Sequence, residues 1–131
     1  MSVDTIVNKA MSDIPKAVAS GVVDMGTGML LAVKTTESHP QAVLDLVSAG
    51  SKELFEGDQT IAIEDAFKQI RGDQKEAHYF QEILINSENL IHYFARLKSA
   101  PNVVMTVVCR ADANLGLVVA KARIIAQTET I

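Results

Sequence analysis

At 131 residues the chain has the length of one domain, 1–131, and is large enough to bury a core without disulfide or metal staples. Hydrophobic residues make up 48% and charged residues 21%, which excludes a disordered chain, and a formal net charge of −4 argues against nucleic acid as a partner. No apolar run approaches the roughly 20 residues of a membrane span, and Met1-Ser2-Val3-Asp4-Thr5 has no basic start, so the expected location is the cytoplasm, away from membranes.

Residues 2–14 predict a short helix: Val3, Ile6, Val7, Ala10 and Ile14 share a face, and Pro15 ends it. Too short to persist alone, it must dock on something. Residues 16–24 predict the first strand, with Val18, Val22 and Val23 among the small residues Ala17, Ala19, Ser20 and Gly21, over which a helix can approach closely. Asp24-Met25-Gly26-Thr27-Gly28 supplies turn chemistry, and residues 29–33 return as the second strand of a hairpin. The Gly-x-Gly is a turn and not a phosphate loop, because no helix follows and the Lys-Ser/Thr ending is absent.

Pro40 opens a long helix, with Ser38 or His39 as its cap. Val43, Leu44, Val47, Leu54 and Phe55 form its apolar stripe, and Gly50-Ser51 marks a place where another backbone could approach. Gly57-Asp58 interrupts or kinks it. Ile63, Ala66, Phe67 and Ile70 then start a second stripe closed by Gly72 as a C-cap residue. One kinked helix and two helices both satisfy this pattern.

After a charged loop, residues 78–86 and 89–97 predict two strands around a Ser87-Glu88 turn. Pairing Asn86 with Asn89 puts Tyr79, Ile83, Ile85, Leu90 and Phe94 on one face. Phe80, Leu84, Ile91, Ala95 and Leu97 take the other, and both faces are apolar enough to be covered. Residues 102–109 are almost continuously apolar and β-branched, as in a strand buried on both faces. Ala111-Asp112-Ala113-Asn114 breaks that run. Asp112 or Asn114 caps the last helix, whose apolar face carries Leu115, Val118, Val119, Ala122, Ile125 and Ala126.

These elements predict an α+β (three-layer α/β) fold. A mainly antiparallel five-stranded sheet has order 2-1-5-4-3, with the long helix on one face and the two terminal helices on the other. The third strand then lies at an edge without proline or lysine and with apolar residues on both faces. Such an edge pairs or is covered. The expected arrangement is a homodimer joining third strands, with long helices packed across the twofold axis and Val43, Val47, Leu54, Tyr79, Gln81 and Ile83 in contact. The alternative is that residues 57–77 shield the edge.

No catalytic, cofactor or metal-binding constellation emerges. In the register above His92 lies opposite Ile83 and His78 opposite Leu97, on different faces, and His39 is in a loop. Glu64-Asp65 and Asp24 read as solvated or turn residues. Lys121 and Arg123 read as cations favoured by the C-terminal end of a helix. Cys109 reads as a small buried hydrophobe, and a single unpaired thiol suits a reducing compartment. An enzyme is not expected.

Two segments carry a resemblance. The hairpin holding Gly21, Asp24 and Gly28, and the helix opening Asn114-Leu115-Gly116 after Asp112, are together similar to the roadblock / dynein light chain family, including its prokaryotic members. The family's first hairpin carries Gly-x-x-x-Asp-x-x-Gly, which this chain approximates with one residue added, and its last helix opens with Asn-Leu-Gly. Physically these residues cap and turn, and Gly116 within a helix implies tight packing against the first strand. The resemblance implies a non-enzymatic homodimer with a continuous sheet, no cofactor, and a role regulating or scaffolding a Ras-like small GTPase or signalling complex. Residues 57–75 exceed the family's usual short connection. The competing expectation is a small-ligand sensor with a pocket between sheet and helix lined by Tyr79, Phe94 or Phe67.

Overall fold

The computed structural model describes residues 2–37, 41–72 (the backbone alone for 41–43) and 78–131. The chain runs α1 (Val3–Asp13), β1 (Ala17–Asp24), β2 (Leu30–Thr35), α2 (Gln41–Glu56), α3 (Asp58–Arg71), β3 (Glu82–Asn86), β4 (Leu90–Arg96), β5 (Val103–Arg110) and α4 (Leu115–Thr128). Every strand pairing is antiparallel, and the order is β2-β1-β5-β4-β3, as the element pattern predicts. The expected caps Ser38 and His39, with Pro40, lie outside the described residues.

Two apolar clusters sandwich the sheet. On one face Ile6, Val7 and Ala10 of α1 and Val118, Ala122 and Ile125 of α4 pack on Val22, Tyr93, Met105, Val107 and Cys109. On the other, Phe55 of α2 packs with Val23, Met25, Phe94 and Val104. Residues of β5 contribute to both clusters, which is why its sequence lacks polar alternation. The first hairpin turns through Asp24, whose carboxylate accepts from the Gly26 N–H and the Thr27 hydroxyl, while Gly28 takes φ +75°. Gly21 gives room on the α2 side: a Cβ there would stand 3.1 Å from Thr106 Oγ1 and 3.2 Å from Leu30 Cδ1.

The structure settles the long helical stretch as two helices. The Gly57 N–H still bonds back to the Glu53 carbonyl at 2.9 Å, but Gly57 is the N-cap of α3. A Cβ there would lie 2.5 Å from that carbonyl oxygen, so the junction needs glycine. Gly72 closes α3 with φ +68°, as expected of a C-cap residue.

Several expectations are corrected. The turn between β3 and β4 falls on Glu88-Asn89, with Ser87 N–H bonded to the Leu90 carbonyl at 2.9 Å, so the register moves by two residues. Ile83 then pairs with Phe94, and His92 with Ile85. An even shift leaves every side chain on its expected face. β3 starts at Glu82 instead of His78; before it, the Phe80 N–H bonds to the Glu64 carboxylate and the Phe80 carbonyl to Arg96 Nε. Asn114, not Asp112, caps α4 by accepting from Leu117 N–H at 3.1 Å; Asp112 pairs with Lys16 Nζ at 2.7 Å. Leu115 is exposed, and Gly116 does not pack on β1. A Cβ on Gly116 would meet only Asn114 Oδ1, at 3.3 Å.

Candidate partner interface

Each turn of α2 divides its side chains between the sheet and the solvent. Phe55 is fully buried, and the buried Ser48 donates to the Gly28 carbonyl at 2.7 Å, fastening the helix to the first hairpin. Facing outward are Leu46, 74% exposed, Val47, 58%, and Leu54, 38%. Gly50 lies among them, exposed, and a Cβ added to it would meet nothing within 4 Å. The close approach expected at Gly50 is therefore not made by any described residue. A mid-helix glycine costs about 1 kcal/mol relative to alanine, and no contact among the described residues offsets that. The side chain of Val43 lies outside the described residues.

Ile83 of β3 packs on the Phe55–Phe94 cluster beneath the C-terminal end of α2. Leu84 and Ile85 are each 38% exposed, on opposite faces of the strand. Gln81 is exposed and donates through Nε2 to the His78 carbonyl. Tyr79 is half-buried and stacks on Phe67, rings nearly parallel with centroids 5.5 Å apart. The structure thus places Val47, Leu54 and Gln81 at the surface and turns Ile83 and Tyr79 partly inward.

Sequence reasoning missed a charged cluster beside that strand. The Arg96 side chain, 1% exposed, donates from Nε to the Phe80 carbonyl at 2.8 Å and from Nη1 to the Pro101 carbonyl at 2.9 Å. Its Nη2 reaches Glu56 at 3.1 Å, and the guanidinium lies 4.9 Å from the Phe55 ring centre. His78 sits between Glu56, 3.2 Å away, and Glu64, 3.3 Å away. The other oxygen of Glu64 accepts from Phe80 N–H at 2.8 Å. Burial raises the Glu64 pKa, but the Phe80 N–H and His78 outweigh it and hold the carboxyl below its ordinary value.

Glu64, read from sequence as solvated, is only 2% exposed. The stripe expected to be buried is turned out instead, with Ile63 46%, Phe67 45% and Ile70 80% exposed. The stripe's own periodicity contains no signal for that inversion.

On the opposite face of β3, Glu82 accepts from Arg123 Nε and Nη2, both at 2.7 Å, and from the Tyr93 hydroxyl. Arg123, read as a dipole cation, is thus a two-pronged tie between α4 and the edge strand. It holds the Glu82 carboxyl below its ordinary pKa. Burial, with Glu82 second, raises that of Tyr93.

A groove of about 930 Å³ separates the N-terminal half of α2 from the sheet, between Leu44 and Val47 on the helix and Val33, His92, Thr106 and Val108 below. None of Tyr79, Phe94 and Phe67, the residues expected to line a pocket, borders it. Burial lowers the His92 pKa and pushes the Cys109 thiol up to about 11. Among the described residues no group of three or more His, Cys, Asp or Glu is placed to hold a metal ion, and no helix is long and apolar enough to cross a membrane.

No protein-family model matches the sequence, and no curated protein matches it. Solved structures do match. Myxococcus xanthus MglB superposes with a TM-score of 0.69 at 14% identity, covering 95% of this chain and 81% of that one. An MglB structure in a tetrameric arrangement gives 0.68 at 20%, covering 94% and 81%. A roadblock/LC7 domain from Streptomyces avermitilis gives 0.67 at 10%, covering 96% and 92%. The chain has the roadblock fold.

Proposed function

We propose that this roadblock-fold chain is a non-catalytic interaction module. It pairs with a second copy through β3 and α2, and the pair regulates or scaffolds a Ras-like small GTPase or signalling complex in the cytoplasm. The observation that carries the reading is the outer face of α2, where Leu46, Val47 and Leu54 surround a glycine with nothing against it. Isolated surface leucines are ordinary. A stripe of them around an open Gly50, together with a strand edge that no described residue extends, is a docking face. The tetrameric MglB arrangement is in keeping with self-association. The GTPase comes from the roadblock resemblance, and the extra helix α3 lies where the family has a short connection.

Light scattering at micromolar concentration tests the pairing, and a monomeric mass overturns it. Val47→Asp and Leu54→Asp each dissociate the pair, whereas unchanged sedimentation of both removes α2 from the interface. The GTPase reading is tested by affinity capture from native lysate, where a GTPase must be retained in a nucleotide-dependent way.

The groove under α2 favours a second reading, a small-ligand sensor. A ligand at a hundred times its dissociation constant stabilises the fold by about 2.7 kcal/mol. A thermal-shift screen without any stabilising compound counts against it.

A further inference from the structure

α3 reaches the segment just before β3 through Glu64, which accepts from the Phe80 N–H at 2.8 Å. The Gln81 carbonyl accepts from Arg96 N–H at 2.9 Å, and Ser87 N–H donates to the Leu90 carbonyl at 2.9 Å. The odd-numbered residues of this strand therefore turn their main-chain groups toward β4. By alternation Glu82, Leu84 and Asn86 turn theirs to the outer edge; Phe80 lies just before the strand, its carbonyl held by Arg96 Nε of β4 at 2.8 Å. The Phe80 N–H is the one taken by Glu64. A carboxylate turned inward onto an edge is a known way to stop strand addition.

The helix that delivers this carboxylate is weakly held. Glu64 is its one buried residue, while Ile63, Phe67 and Ile70 remain exposed. α3 is fixed to the edge segment by a carboxylate, with His78 and Phe80 as partners, and by the Phe67–Tyr79 stack. Elements with few buried apolar contacts open at low free energy. The segment beneath it, His78-Tyr79-Phe80-Gln81, has the aromatic and apolar character of a strand.

We propose that α3 is a releasable clasp on the β3 edge. With Glu64 on the Phe80 N–H, strand addition is confined to Glu82–Asn86. When the clasp opens, the edge lengthens toward His78 and takes a longer strand from a second copy of this chain. The identity of that added strand rests on the pairing proposed above; the clasp itself does not.

Amide hydrogen exchange on the full chain tests the clasp, using Glu64→Ala to remove the latch and Phe67→Ala to remove only the stack. In dilute Glu64→Ala the amides of α3 and of Phe80 exchange about tenfold faster while those of Val104 and Val107 are unchanged. In Phe67→Ala, α3 exchanges faster but Phe80 stays protected. An unchanged Phe80 amide in Glu64→Ala, or equal acceleration throughout the core, overturns the clasp. Sedimentation then tests the edge. Glu64→Ala associates severalfold more tightly than the parent, and equal or weaker association with an intact core overturns edge lengthening. If neither protein associates at any concentration, the pairing itself is overturned, and the Phe80 amide still decides the clasp.

Discussion

Arg96 and Glu64 leave water because each finds several partners. A buried guanidinium without them would be strongly destabilising; here two carbonyls, a carboxylate and an aromatic face take its donors and its charge. For Glu64 the lowered pKa gives a sign. A group whose folded pKa is depressed stabilises fully above the unfolded carboxyl value of about 4.3, and that contribution is lost as pH falls through the folded value. Exchange of α3, corrected for intrinsic rate, should therefore rise on acidification below about 4.3, and in Glu64→Gln that rise should be absent. Cys109 gives a second residue-level test. Fully buried and with its thiol pushed up to about 11, it should resist a thiol reagent at neutral pH in the native chain and react on unfolding. Asn114→Ala should cost about 1 kcal/mol in urea unfolding through loss of the α4 cap.

Among the elements, α2 and α3 place two glycines a few residues apart with opposite requirements. Gly57→Ala sets a methyl against the Glu53 carbonyl and should destabilise by about 1–3 kcal/mol, read as a lower urea midpoint. Gly50→Ala meets none of the described residues and should stabilise the unassociated protein by up to ~1 kcal/mol. If helices cross at Gly50, the bulkier Gly50→Leu keeps the fold and loses the dimer. The helix stripes were legible because periodicity is a property of neighbouring residues. Their direction was less so: α3 follows a strong apolar repeat, Ile63-Phe67-Ile70, and exposes it. The repeat defines a face, but the carboxylate's partners on residues 78–80 decide which face turns in.

For the whole molecule, the sheet presents one face to α1 and α4 and the other to α2, and among the described residues no strand lies beyond its β3 edge. If that edge and α2 join two copies, the melting temperature should rise with protein concentration, since association stabilises by mass action. Val47→Asp should abolish that dependence while leaving the melting temperature at low concentration nearly unchanged, because Val47 is exposed in the single chain.

The sequence by itself determined the element order apart from the division of the long helical stretch into α2 and α3, the strand order β2-β1-β5-β4-β3 and the place of residues 102–109 at the centre, together with the cap and turn chemistry of Asp24, Gly28 and Gly72. All of these rest on local periodicity and on short-range main-chain needs. The tertiary structure alone decided the β3–β4 register, the choice of Asn114 over Asp112, the inversion of α3, and the ties Glu64–Phe80 and Glu82–Arg123. Those pairings join residues remote in sequence, or choose between near-equivalent neighbours. Their free energy depends on distances that exist only once the chain has folded.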